Sequence, residues 1–174
     1  KANVQNLILS GGSALNSVAN GKVLQESGFS KLFVPPMPDD SGISVGAALY
    51  AHNMILSKGS RVSMNNNYWG PAFSSDQVEK ELNNYKISHK KTDSIERDVA
   101  RLIADGKIVG WFQGSLEFGD RALGNRSILA DPRDPEMKDK VNKTIKYREN
   151  FRPFAPSVLS ERASEFFTDL VETP

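Results

Sequence analysis

The sequence predicts an α/β fold, because short apolar runs and helical patterns alternate along its first third, separated by glycine and proline turns. Hydrophobic residues make up 39% of the 174 residues and charged residues 25%, as in globular proteins with a packed core. The net charge of +1 gives no bulk attraction to nucleic acid or to an anionic membrane, so neither partner is expected. The chain has no cysteine and no apolar run near the ~20 residues that span a bilayer, which is compatible with the cytoplasmic location that we expect.

A tight turn separates the first strand from the first helix. Residues 7–9 form a short apolar run that stops at Gly11-Gly12, which is typical of a buried strand entering a turn. The apolar spacing of residues 13–26 then predicts a helix, and Gly28 ends it.

A second strand and helix follow in the same order. Residues 32–34 predict another buried strand, and the prolines after it delay the start of the next helix. That helix is predicted over residues 41–58, with Asp40 or Ser41 as its cap and Gly59 as its stop.

Turn-forming residues at 61–73 predict a linker before the second half of the chain. Residues 117–133 are dense in glycine, arginine and asparagine and show no periodicity, so no regular element is predicted there. Before this stretch, we predict a helix over 76–84 with a Ser74-x-x-Gln77 capping box, a helix from an Asp93 cap to 104 and a strand over 107–112. After it, we predict a helix from Asp134-Pro135 to about 144, an edge strand over 154–159 and a short helix over 160–167.

Two stretches of the first third contain residue types that bind nucleotides or metals. Gly11, Gly12 and Asn16 lie between a strand and a helix, where backbone N–H groups and the helix dipole favour a phosphate; the alternative is a simple strand-to-helix turn. The adjacent carboxylates of Asp39 and Asp40 suit a metal ion or a ribose hydroxyl, and the alternative is a helix cap.

The richest candidate is a basic stretch between residues 117 and 153. Arginine forks match phosphate oxygens, lysine adds a point charge, and neighbouring glycines let a ligand approach the backbone. We therefore predict an anion site, and the alternative is a solvated surface paired with Glu117, Asp120 and Asp131. Its cations are Arg121, Arg126, Arg133, Lys146, Arg148 and Arg152.

A long and specific pattern runs through residues 110–114 (Gly-Trp-Phe-Gln-Gly), 117–133 and 146–158, and residues 11–16 and 40–48 extend it into the first third. Together these stretches resemble the O-carbamoyltransferases, a family that includes the nodulation-factor enzyme and the enzymes that tailor cephamycin and tobramycin. The resemblance implies an α/β protein in which residues 1–60 are the C-terminal portion of an actin-like (ASKHA) domain. Residues 61–73 are then a linker, and 74–174 are the N-terminal portion of a YrdC-like domain.

The resemblance also implies the chemistry. A member of this family joins carbamoyl phosphate and ATP, bound with Mg²⁺, to give carbamoyl adenylate, and then passes the carbamoyl group to a hydroxyl of a small-molecule acceptor. A divalent metal, expected to be iron, assists the transfer in the actin-like domain. Since carbamoyl adenylate hydrolyses readily, we expect a route between the two sites that excludes water.

Roles carry over to individual residues of this sequence. The pair Lys146-x-Arg148 matches the pair that grips phosphate oxygens in YrdC-like proteins. The catalytic residues implied are Lys146, Arg148, Arg126 and Arg121; the binding residues are Gly11, Gly12, Asn16, Gly119, Asn125, Ser127 and Arg152; the metal ligand is Asp40.

Two departures from the family pattern affect these expectations. Asp120 stands where the family usually has proline, and the family's upstream histidine metal ligands precede Lys1. Since one carboxylate does not hold a metal, we expect this chain by itself to lack acceptor transfer.

A second interpretation is a non-catalytic module that binds anions or RNA through the same basic stretch. The low net charge and the lack of an aromatic platform near the arginines argue against it. A bare actin-like kinase or ATPase is a third interpretation, and it has no place for the Lys-x-Arg pair.

Overall fold

A computed structural model describes residues 4–57, 61, 64 and 66–168, and shows a mixed α/β protein with helices and two small sheets. The described residues form two compact units. The first consists of the chain up to Pro71 together with Ser115–Ala122, and the second of Ala72–Gly114 and the chain from Leu123 onward. Within the described part, no helix has the length and apolar character to cross a membrane.

The sheet of the first unit is parallel. Strand β1 (Asn6–Ile8) pairs with β2 (Lys31–Phe33), with Leu7 opposite Leu32, and this confirms both as strands. The prediction that they are buried is wrong, because Ile8 is 69% exposed and Phe33 41%. The predicted helix over 13–26 is divided at Asn16, because Asn16 has an extended backbone and its side chain accepts a hydrogen bond from the Ala19 N–H at 3.1 Å. A 3-10 turn (Gly12–Leu15) precedes this cap and helix α1 (Ser17–Glu26) follows it.

Helix α2 (Gly42–Tyr50) continues as a π-helical segment (Ala51–Ile55), which confirms a long helix in this region. Ser41, one of the two predicted caps, is the N-cap residue, but its side chain bonds no helix N–H. The Asp39 carboxylate accepts from the Ser41 backbone N–H and hydroxyl instead. A Cβ atom at Gly42 would overlap the Met37 carbonyl oxygen, so a glycine is needed where the helix starts. The predicted end at residues 58 and 59 lies outside the described residues.

Two amphipathic helices begin the second unit. Helix α3 (Ser75–Asn84) has the predicted capping box, with the Ser74 and Gln77 side chains each bonded to the other's backbone N–H. Helix α4 (Ile95–Ala104) begins after Ser94, and that N-cap makes no side-chain bond to the helix, so the predicted Asp93 cap is wrong.

An antiparallel hairpin lies at the centre of the second unit. Strand β3 (Val109–Phe112), which was predicted, pairs with β4 (Arg126–Leu129), and Trp111 lies opposite Ser127. Strand β4 was not predicted, because four residues next to a glycine-rich loop are too few to show periodicity and the pairing with β3 defines the strand. The prediction that residues 117–133 are irregular is therefore wrong at 126–129.

The remaining elements are short. Helix α5 (Met137–Val141) continues as a π-helical segment (Asn142–Lys146), where a helix was predicted. The edge strand expected over 154–159 is wrong: no strand is formed there, because Pro156 lacks an N–H to donate to a ladder. Ser160–Glu165 is a 3-10 helix, as a short helix was predicted.

Each unit has a small apolar core. Ala14 and Met37 are buried in the first unit, and Val99, Met137 and Val141 in the second. Met37 links this core to the candidate site, since it lies between the end of β2 and the start of α2.

Candidate functional site

In the first unit, the glycine turn and the acidic pair lie side by side. The turn follows β1 and the acidic pair follows β2, and the carboxyl ends of neighbouring parallel strands meet at one edge of a sheet. The Gly11 N–H donates to the Pro38 carbonyl oxygen at 2.6 Å, and the Ser10 hydroxyl donates to the same oxygen at 3.2 Å. Gly11 has a φ of +96°, a conformation that favours glycine.

The carboxylates at this edge differ in what they contact. Asp39 is bonded to Ser41, whereas the Asp40 side chain is exposed. Asn16, predicted to bind nucleotide, uses its side-chain oxygen to cap α1. Among the described residues, no three His, Cys, Asp or Glu side chains gather, so Asp40 offers a single carboxylate and these residues do not by themselves fit a metal ion.

The loop Ser115–Ala122 belongs to this first unit, although it lies far along the chain. Asn67 holds it through two hydrogen bonds of 2.7 Å, one from its side-chain amide to the Phe118 carbonyl and one from the Phe118 N–H to the Asn67 carbonyl. Asn67 is only 1% exposed, so these bonds are shielded from water. Trp69 adds a ring contact to Phe118 at 6.3 Å between centroids.

Two of the predicted site residues are on this loop. Gly119 has a φ of +104°, and a Cβ atom there would lie 3.5 Å from the Met37 Cβ, so its backbone packs against the segment that leads to Asp40. Arg121 is exposed, and its guanidinium lies 3.9 Å from the Asp120 carboxylate. The structure thus brings Gly119 and Arg121 into the unit that contains Gly11 and Asp40.

Three other predicted residues are at the start of β4 in the second unit. The Asn125 carbonyl accepts from the Gln113 N–H at 2.8 Å, which closes the β3–β4 ladder. The Asn125 side chain covers Gly114, where a Cβ atom would meet its amide nitrogen at 3.2 Å. Arg126 and Ser127 follow on the strand.

Arg148 is held on three sides. Its Nε donates to the Asn142 side-chain oxygen at 2.8 Å, and its Nη2 donates to the Pro153 carbonyl at 3.4 Å. The Phe154 ring lies against the face of the guanidinium, 4.4 Å from ring centroid to the Arg148 Cζ. This geometry is a cation–π contact, an interaction in which arginine takes part more often than lysine.

The surface beside Arg148 is a cleft of about 550 Å³. Tyr147 has a left-handed backbone with a φ of +48° and an 83% exposed side chain. Lys146, the last residue of the π-helical segment, is exposed next to it. The lining residues are Asp139, Asn142, Lys143, Tyr147, Arg148 and Asn150.

Carboxylates pair with two further predicted cations besides Arg121. Arg152 bonds the Glu149 carboxylate at 2.9 Å. The pKa of Glu149 lies below its usual value, first because of a hydrogen bond from its own backbone N–H and then because of the Arg152 charge. The buried carboxylate of Asp131 accepts from both the guanidinium and the backbone N–H of Arg133, so Arg133 is part of an ion pair rather than an open anion site.

Sequence reasoning missed the residues that surround Arg148. Asn142 lies six positions before Arg148, and this spacing has no signature in a sequence. Tyr147 lines the same cleft as Arg148, and the Phe154 ring covers the Arg148 guanidinium, so aromatic side chains do lie near this arginine. The expected lack of an aromatic platform weighed against RNA binding, so RNA binding by this region stays a hypothesis to be tested.

Comparisons with known proteins agree on one family. A model described as the carbamoyltransferase N-terminus matches residues 1–49, and one described as the carbamoyltransferase C-terminus matches residues 100–174.

Similar proteins include three nodulation proteins. NolNO of Sinorhizobium fredii is 47% identical over 167 residues, which cover 94% of this chain and 25% of that protein. NolO of Bradyrhizobium diazoefficiens is 46% identical, over 92% of this chain and 30% of that protein. Nodulation protein U of Rhizobium fredii is 39% identical, over 94% of this chain and 26% of that protein. The chain therefore spans between a quarter and a third of the length of these relatives.

Proposed function

This chain belongs to the carbamoyltransferase family, and from this we propose that the whole protein makes carbamoyl adenylate from carbamoyl phosphate and ATP and transfers the carbamoyl group to a hydroxyl of a small-molecule acceptor. We further propose that residues 1–60 are part of an actin-like domain and residues 74–174 part of a YrdC-like domain.

The observation that carries the proposal is the arrangement around Arg148. Its guanidinium is held in place beside a cleft to which Lys143 contributes a further positive charge. A fixed guanidinium and a nearby ammonium group match the oxygens of a phosphoryl group. This supports a phosphate-binding role for the second unit.

Adenylation brings two polyanions together, so the site needs several cations to offset their repulsion. With phosphate and pyrophosphate as the leaving products, atom balance requires one water for each carbamoyl adenylate. We assign Lys146 and Arg148 to the phosphate oxygens. Arg126, Asn125, Ser127 and Arg152 of the same unit are proposed as further contacts.

In the first unit, the glycine turn is proposed to face a nucleotide phosphate at the carboxyl edge of β1 and β2. Since the Gly11 N–H is bonded to the Pro38 carbonyl, the phosphate contact is assigned to the backbone at Gly12. Gly119 and Arg121 share this unit, and their part in adenylation stays a prediction. Asp40 is the one candidate ligand for the expected divalent metal; since the described residues do not complete a metal site, no step is derived through it.

One observation favours a second candidate function. Tyr147 and Phe151 are 83% and 80% exposed, and they flank Arg148 in the sequence. Exposed aromatic rings beside cations stack on the bases of single-stranded nucleic acid. A non-catalytic module that binds anions or RNA therefore remains the alternative.

The deciding experiment is carbamoyl phosphate-dependent exchange of labelled pyrophosphate into ATP by the full-length protein. We expect exchange that stops when carbamoyl phosphate is omitted. Lys146→Ala or Arg148→Ala should lower it by about 10- to 100-fold, the effect of losing a hydrogen bond to a charged group. Arg97→Ala, at an exposed position on α4, is the matched control and should leave the rate unchanged.

Two results would contradict the proposal. Exchange that is unaffected by both site variants would show that the cations are assigned wrongly. No exchange by folded protein, together with salt-dependent RNA binding that ATP and carbamoyl phosphate do not compete away, would establish the alternative.

A further inference from the structure

We infer that Asn142 and Phe154 are positioning residues that hold the Arg148 guanidinium in one orientation at the cleft. The inference rests on the phosphate-binding role proposed for Arg148. It adds two residues that act through Arg148, although Asn142 also lines the cleft.

The burial of Asn142 indicates that the Arg148 contact is the reason for an asparagine at this position. The side chain is 0% exposed, and its only hydrogen bond within the described part of the chain is the one from the Arg148 Nε, at 2.8 Å. Its Nδ2 has no acceptor among those residues. A buried amide is costly unless it is bonded, and a leucine of similar size would fill the space without this cost.

The same bond sets the orientation of the amide. Arginine has donors and no acceptor, so the oxygen of Asn142 must be the atom that faces Arg148. The Nε donor lies on the inner edge of the guanidinium. Using this donor internally leaves Nη1 on the outer edge for a ligand, since the other terminal nitrogen, Nη2, donates to the Pro153 carbonyl.

Phe154 and the Pro153 carbonyl limit the other movements of the guanidinium. The ring covers one face at 4.4 Å, and the carbonyl accepts from Nη2 at 3.4 Å. Nη1 has no partner among the residues that the structure describes. The group is thus fixed in position while part of its donor edge stays available.

The backbone supports the same arrangement. The π-helical segment Asn142–Lys146 ends at Tyr147, whose left-handed conformation is uncommon for a residue other than glycine. Arg148 follows this residue, and its side chain contacts the first residue of the segment. The unfavourable backbone conformation of Tyr147 therefore lies directly before Arg148, at the point where the chain turns the Arg148 side chain back to Asn142.

A fixed arginine loses less conformational entropy when it binds an anion than a mobile one. Removing the contact from Asn142 should therefore weaken carbamoyl phosphate binding by about tenfold, the effect of one charge-assisted hydrogen bond. The maximal rate of pyrophosphate exchange should change little, because the ligand contact itself is still present in the variant.

The test is a double-mutant cycle on the full-length protein, with calorimetric titration of carbamoyl phosphate as the readout. Asn142→Leu fills the volume and Asn142→Ala leaves a cavity, but both lack the acceptor. Phe154→Leu tests the other side of the guanidinium at a partly exposed position, where the protein is expected to fold. Each change is measured in the native background and with Arg148→Ala, and the melting temperature of every variant is recorded.

If the inference is correct, the Asn142 variants and Phe154→Leu each raise the Kd in the native background and have no effect when Arg148 is alanine. Equal effects in both backgrounds, or effects that follow the melting temperature instead of the loss of the acceptor, would show a purely structural role. Native affinity in Phe154→Leu and in the Asn142 variants would overturn the inference while leaving the proposed function intact. Native affinity in Arg148→Ala would instead overturn the site assignment on which the inference rests.

Discussion

At the scale of single residues, neighbouring groups decide what each arginine of the basic stretch is able to do. Arg133 is bonded through its guanidinium to the buried carboxylate of Asp131, so its charge is compensated inside the protein. Arg148 is held by uncharged groups, the Asn142 amide and the Phe154 ring, and within the described part of the chain it forms no ion pair with a carboxylate, although Glu149 lies near enough to interact with its charge. Arginine is therefore part of an ion pair at position 133 and a candidate anion-binding residue at position 148.

The pair formed by Asp131 and Arg133 should make stability depend on pH in acid. The Arg133 side chain, and then its backbone N–H, lower the pKa of Asp131 from 3.8 to about 2. Because the folded pKa lies below the unfolded one, the stabilisation is present above pH 3.8 and is lost as the pH falls through about 2.

Asp131→Asn should accordingly lower the melting temperature near neutral pH, and the difference from the native protein should shrink between pH 3.8 and about 2. Arg133→Gln should reproduce this behaviour, since it removes the other partner. The measurement is the melting temperature as a function of pH for the three proteins. A difference that stays constant down to about pH 2 would show that the pair does not cause it.

At the scale of elements, α3 and α4 show that two serine N-caps are not equivalent. The Ser74 hydroxyl accepts from the Gln77 N–H at 3.3 Å, and the Gln77 side chain accepts from the Ser74 N–H at 2.8 Å. Ser94 occupies the same position on α4, but its hydroxyl makes no bond to the helix. A reciprocal cap satisfies two N–H groups that would otherwise lack partners at the start of a helix.

Ser74→Ala should therefore destabilise the second unit by about 1 kcal/mol, the usual effect of losing an N-cap bond. Ser94→Ala is the matched control and should change stability by less than about 0.5 kcal/mol. Urea unfolding followed by circular dichroism measures both. Equal losses in the two variants would mean that the capping box contributes nothing specific.

At the scale of the whole molecule, the chain passes from the first unit to the second, returns to the first for one loop and then continues in the second. The loop Ser115–Ala122 belongs to the first unit, while the hairpin strands on either side of it belong to the second. Asn67 is the main anchor of the loop, because both of its hydrogen bonds to Phe118 are 2.7 Å long. The chain in this region is thus divided between two compact units.

Asn67→Ala should loosen the loop without loosening the hairpin. It removes the bond to the Phe118 carbonyl, leaving a buried group unsatisfied at about 1–3 kcal/mol. Hydrogen exchange should become faster at Leu116 and Phe118, whose N–H groups bond the first unit, and stay unchanged in β3 and β4.

The matched control for this prediction is Asn66→Ala. Asn66 is exposed, and within the described part of the chain its side chain bonds only the nearby Tyr68 N–H, so exchange in the loop should match that of the native protein. Faster exchange throughout both units in Asn67→Ala would show that the protein unfolds as one body.

Features with a local origin could be predicted from the sequence. They include the capping box at Ser74, the glycine-bounded strands β1 to β3 and the helices. All of these depend on residues a few positions apart, so a local sequence pattern predicts them. Sequence motifs also predicted the family, and the matches to the carbamoyltransferase N-terminal and C-terminal models confirm it. The assignment of residues to the adenylation and transfer steps stays a prediction.

The tertiary structure alone decided the features that depend on distant partners. Strand β4 exists because β3 pairs with it, the loop at Phe118 is held by a residue 51 positions earlier, and Arg148 is oriented by Asn142 and Phe154. By itself, the sequence determined which side chains were present, their local elements and their family. Which of the charged groups are compensated and which stay available was set by packing, because the energy of a charge depends on the groups and the solvent around it.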